Sequence, residues 1–205
     1  MLTFLSAGIL LGLSAGFAPG PLLALLVSET LQHGWRAGIK VALAPLITDL
    51  PIITITMFML AKLAHLQHIL GVISIIGACF ILSLGIKNIQ MKGIEIPSTP
   101  VSSRSLQKGI LVNFLSPHPY FFWFTVGGPM TRNALALNLT AAIFFIASFY
   151  VLLVGSKILV AVLTGKSRTF LQGNVYILIM RLLGILLVVF AVILFGDGLH
   201  LLGVF

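Results

Sequence analysis

Apolar residues in this chain come in long uninterrupted runs, not in the narrow stripe that marks a helix on the surface of a soluble domain. Six runs reach or exceed the ~20 residues that span hydrocarbon, at about 3–28, 37–61, 68–88, 107–131, 135–158 and 174–196. They are continuous rather than alternating, which excludes a membrane barrel. Polar residues gather between the runs. QMKGIEIPSTPVSSRSLQ, residues 90–107, is the one substantial hydrophilic linker and is rich in Ser and Pro. TGKSRTFLQGN separates the last two runs. The pattern predicts an all-α polytopic membrane protein with six transmembrane helices.

In the first run Gly8, Gly12, Gly16 and Gly20 recur every fourth residue, and Ala24 and Ser28 continue the row. Such a ridge lets a second helix approach closely, within one chain or between the two chains of a homodimer. Pro19 and Pro21 interrupt the same run. Proline has no amide hydrogen and releases the carbonyl four residues back, here those of Ala15 and Phe17. In hydrocarbon a released carbonyl needs protein, water or a substrate to satisfy it.

The fourth run carries a matching interruption, SPHPYFF. Setting Pro19 against Pro117 also sets Pro21 against Pro119, and the carbonyls released there belong to Asn113 and Leu115. Both breaks fall in the first span of a three-span half. Three is odd, so the halves cross the bilayer in opposite senses. This predicts two inverted three-helix repeats, 1–90 and 107–205, joined by a cytoplasmic linker at 91–106, with the first helix of each broken at P-x-P. Secondary carriers built this way bind substrate at the repeat interface.

Composition adds force to the membrane reading. The chain is 59% hydrophobic and 8% charged, with mean hydropathy +1.17, which excludes a soluble domain. The net charge of +8 therefore reports topology, with no nucleic-acid partner expected. Arg36, Lys40, Lys87, Lys92, Arg104, Lys108, Lys157, Lys166 and Arg168 fall in alternate connections, against Lys62 and Arg132 on the other side. Arg181, inside the last run, can snorkel to the basic side. The positive-inside rule puts the richer side in the cytoplasm and both termini outside. The N-terminus lacks the basic region of a signal peptide, so the first span is expected to be retained.

Asp49, between Pro45 and Pro51, is the one acid inside a run. A carboxyl at that depth normally faces a cavity, a partner or a proton path, so Asp49 is a candidate for proton coupling and for substrate binding. Thr48 and Thr54 can hydrogen-bond it. His118, between the two prolines of the second break, can relay protons or contact substrate. Asn113, one turn before Pro117, and Ser116 can bond a substrate carboxylate or the broken backbone. The candidate substrate site is thus Pro19, Gly20, Pro21, Asp49, Asn113, Ser116, Pro117, His118 and Pro119.

The remaining polar positions are expected to be structural. Glu29 and Asp197 are placed at solvated membrane edges, and Tyr120, Phe121, Phe122, Trp123 and Phe124 on a lipid-facing and packing surface. Asn138-Leu-Thr matches a glycosylation sequon but opens a span. Cys79, the single cysteine, excludes an internal disulfide or a cysteine metal site and reads as a small buried residue. Walker, H-E-x-x-H and G-x-S-x-G motifs are all missing, so neither ATP-driven pumping nor a resident cofactor or metal is expected.

The G-x-x-x-G ridge followed by APGP at Ala18 to Pro21, HGWRAG at His33 to Gly38, Asp49, GACFILSLG and KGILVNFLSPHPYFFW together resemble the lysine-exporter (LysE/RhtB) family of amino-acid efflux carriers. The resemblance covers nearly the whole chain. It implies export of an amino acid or similar small metabolite across a prokaryotic cell membrane, driven by the proton gradient. Pro19, Gly20 and Pro21 would form one half of the site, and Asn113, Pro117, His118 and Pro119 the other. Asp49 would bind the substrate amine or carry the coupling proton. The family usually reads N-P-K where this chain has Ser116-Pro117-His118. Rival readings are a cation exporter, an intramembrane enzyme using Asp49 and His118, and a scaffold.

Overall fold

The computed structural model describes residues 2–59, 63–90, 104–167 and 174–204. Ten α-helices account for nearly all of them: α1 Leu2–Phe17, α2 Pro21–His33, α3 Trp35–Ala42, α4 Ala44–Met59, α5 Leu63–Ile89, α6 Ser105–Phe114, α7 Pro117–Phe122, α8 Gly128–Leu137, α9 Leu139–Ser167 and α10 Asn174–Leu201. No strand occurs among the described residues. Four stretches are long and apolar enough to cross a membrane alone: Trp35–Thr54, Gly71–Ile89, Leu139–Ser167 and Ile177–Leu201. A fifth is the pair α1 and α2, bent by 61° at the first proline break. Most of the expected 91–106 linker lies outside the described residues, as do Lys62, Lys92 and Arg168.

The fourth expected span is not one helix. Helix α6 stops at Phe114, α7 restarts at Pro117, and a π turn at Trp123–Gly127 precedes α8. Three prolines explain the division: Pro117, Pro119 and Pro129 each withdraw a donor from the ladder. In the π turn the Gly128 amide reaches back five residues to the Trp123 carbonyl, just ahead of Pro129.

Both proline breaks follow one local logic. A residue before proline is driven into extended backbone, and Gly20 (φ −177°, ψ 177°) and Ser116 (φ −91°, ψ 134°) both obey. The helix then restarts with Pro21 or Pro117 in its first turn, where a missing amide hydrogen costs nothing. Gly34 (φ 88°) makes the turn between α2 and α3 in a conformation that other L-residues rarely adopt.

The glycine ridge packs within the chain. A side chain on Gly8, Gly12 or Gly16 would collide with Ser148, the Phe149 backbone or Ser156, all on α9. Gly20 lies beyond this contact, facing open space, while Ala24 and Ser28 are buried on α2. Gly12→Leu should therefore force α1 off α9 and destabilise the fold by about 1–3 kcal/mol. Thermal unfolding of the purified protein in detergent checks this; an unchanged transition would remove the contact from the fold's support. A second seam joins α5 to α10, where Gly71 meets Gly198 and Gly85 meets Gly184 backbone to backbone.

Glu29 is not at a solvated edge: it is 1% exposed. Its carboxylate accepts from Ser105 Oγ at 2.5 Å and from Lys108 Nζ, both on α6, with His33 Nδ1 at 3.4 Å. Beside it, Ser28 Oγ accepts from Gln32 Nε2 and from Asn88 Nδ2, each at 2.8 Å. An acid can sit this deep because α2 and α6 meet here and supply its partners. Cys79 also departs from expectation, pointing out of the bundle rather than into it. Asn138 Oδ1 accepts from the Ala141 amide at 2.8 Å, so the sequon residue caps the start of α9.

Candidate functional site

The breaks at Pro19–Pro21 and Ser116–Pro119 open onto one cavity of about 320 Å³. Of the nine residues expected from sequence, Pro19, Gly20, Pro21, Asp49, Asn113, Ser116, His118 and Pro119 line it. Pro117 does not; it is buried in the first turn of α7, where it sets the restart of that helix. His118 stands exposed on the cavity wall.

Asp49 is 4% exposed and held by neutral donors from three helices and a π turn. Its Oδ1 accepts from Asn113 Nδ2 at 3.2 Å, and its Oδ2 from Tyr150 OH at 3.2 Å and Trp123 Nε1 at 3.3 Å. Thr48 Oγ1 lies 3.4 Å from Oδ1 but is nearer to the Ala44 carbonyl, at 3.1 Å, and itself accepts from Asn113 at 2.6 Å. Thr54 takes no part, because its hydroxyl bonds the Leu50 carbonyl. Asn113, expected only as a site candidate, is thus the direct link between the second broken helix and the acid.

Trp123 overturns the lipid-facing reading of the aromatic cluster. It is 1% exposed, stacks near Tyr150 at 6.2 Å and meets Phe149 edge-on at 5.6 Å. Tyr120 is also buried, and its hydroxyl bonds the Phe114 carbonyl at 2.9 Å, satisfying backbone at the end of α6. Only Phe121 of this group is a large exposed side chain. The π turn begins at Trp123, and the extra backbone residue helps aim the indole at Asp49.

Lys157 was expected in a cytoplasmic connection; it lies inside the bundle, 4% exposed, on the cavity wall. The helix that carries it runs on to Ser167 through ILVAVL, past the expected end at 158, and so draws the lysine inward. Its Nζ donates to the Gly16 carbonyl at 3.0 Å and reaches the Ala15 carbonyl at 3.5 Å. The latter is one of the carbonyls Pro19 releases. A cation suits that position twice over, since the C-terminal end of α1 carries negative partial charge. In the second break the Leu115 carbonyl, the one Pro119 releases, lies against Gly77 of α5.

The remaining wall is apolar and close-fitting, with Pro45, Val112, Phe122, Phe149 and Leu153 around the polar groups. A small space with a few convergent polar groups in an apolar lining is what a small-molecule site requires. No curated protein and no solved structure is similar enough to this chain to extend the comparison. The family model described as LysE type translocator matches residues 13–198, and the chain belongs to that family.

Proposed function

We propose that this membrane translocator exports an amino acid or a closely related small metabolite from a prokaryotic cytoplasm, exchanging it for protons by alternating access. The observation that carries the reading is a buried carboxylate at the meeting point of two broken helices, in one cavity of amino-acid scale. Asp49 would hold either the substrate ammonium or a proton, not both. Exchange of one for the other then couples efflux to proton entry. His118, at the exposed wall, would pass the proton on. The first turn of α2, which has no side-chain cap, would offer the Leu22 and Leu23 amides to the substrate carboxylate.

Helix neighbours support the inverted repeat. Exchanging the halves carries the α1–α9 contact onto the contact of α6 with α3 and α4, and carries the α5–α10 pair onto itself. The charge bias still favours a cytoplasmic basic side after Lys157 is removed from it. Against a cation exporter, no three His, Cys, Asp or Glu side chains gather into a metal-holding group among the described residues.

The test is a panel of labelled amino acids and dipeptides offered to everted vesicles with and without a proton gradient. At least one amino acid should accumulate with the gradient and stop when a protonophore collapses it. Uptake indifferent to the gradient would remove proton coupling; a panel with no amino acid moved would remove the substrate class.

A further inference from the structure

Lys157 has no role in the exchange just described. Its ammonium is buried, borders the cavity and, among the described residues, hydrogen-bonds only the neutral carbonyls of Ala15 and Gly16. Among the described residues no carboxylate forms an ion pair with it. Asp49, on the same cavity, is likewise held by neutral donors alone. Opposite charges thus face one space without pairing to each other. Removing either from water is costly, and carbonyls or hydroxyls offset only part of that cost. A ligand with one negative and one positive end would complete both.

We infer that Lys157 is the cation that receives the substrate's carboxylate, so that a free carboxylate is obligatory in what is transported. The inference rests on the reading that this cavity holds the substrate. An ammonium has three donors, and the contacts to Ala15 and Gly16 leave one for the ligand. Those contacts also occupy the carbonyls of the first break with a tethered ammonium. The ligand's own ammonium is left to Asp49. Polarity is therefore fixed: carboxylate toward α1 and α9, amine toward α4. Amines lacking a carboxylate, and amino-acid amides, should be rejected.

The experiment measures competition in lipid nanodiscs between each labelled amino acid of the vesicle panel and its α-amide, for wild type, Lys157→Gln and Lys157→Arg. Wild type should prefer the acid roughly tenfold to a hundredfold, the scale of one charge-assisted hydrogen bond. Lys157→Gln should bring acid and amide to parity, and Lys157→Arg should restore the preference. A lysine that merely capped α1 would leave the acid-to-amide ratio unmoved. An unchanged ratio in Lys157→Gln, or parity in wild type, overturns the assignment; should the Gln variant fail to fold, Lys157→Met supplies the same ratio and is read the same way. Amino acids bound with this preference but not moved in vesicles would sink the transport reading and keep Lys157. Amino acids moved together with their amides would do the reverse. No binding of any acid or amide overturns both.

Discussion

Asp49→Asn should abolish proton-coupled efflux while leaving the bundle assembled. The substitution keeps the volume of the side chain but removes its ability to carry a negative charge or release a proton. It also disturbs the donors around it. Asn113, Trp123 and Tyr150 all direct hydrogens at the carboxylate, and an amide answers with a donor on one side. The indole Nε1–H cannot become an acceptor, whereas the Tyr150 hydroxyl can rotate. The amide nitrogen should therefore turn toward Thr48 and Asn113, at a stability cost of about 1–3 kcal/mol for the mismatched contact. Transport should suffer far more than stability does. Intracellular amino-acid accumulation measures the first and a detergent melting curve the second. Efflux that persisted with its proton coupling would take Asp49 out of the mechanism.

The second large effect is on stability, at Glu29. Its carboxylate is fully enclosed and draws its cation from α6, 79 residues away in the chain. Lys108→Met leaves that charge with Ser105 and a histidine 3.4 Å away. Breaking a buried pair from one side costs about 3–5 kcal/mol. The Lys108 side chain is 32% exposed, so water softens the loss toward roughly 2–4 kcal/mol. Adding Glu29→Gln to Lys108→Met should recover most of it, because the stranded charge is gone. Melting of the two single variants and the double variant forms the cycle. A loss in the double variant equal to the sum of the two single losses would show that the pair contributes nothing of its own.

The proline breaks, the all-helical membrane class and the burial of Asp49 were legible because each depends on local rules. Prolines withdraw donors wherever they stand, and long apolar runs need lipid or protein around them. Eight of the nine residues chosen for the site consequently line one cavity. Lys157, Glu29 and Trp123 were not legible, for a shared reason. A charge at the end of an apolar run fits an exposed edge equally well, an aromatic within one fits a lipid face, and only the packing of distant helices decides. Lys157 is 141 residues from the carbonyl it bonds best. One clue was available: apolar sequence continues for two turns beyond that lysine, which extends the helix and moves the charge inward. The π turn offered another in Gly127-Gly128-Pro129, where a proline follows two glycines within a hydrophobic stretch.

The α5–α10 seam bears on how such a molecule can move. Main chain rests on main chain at Gly71 with Gly198 and at Gly85 with Gly184, so neither pair leaves space for a side chain. The two helices behave as a stiff spine. In the proposed alternating access the elbows would then be the interrupted segments at Pro19 and Pro117, where the ladder of backbone bonds is already open.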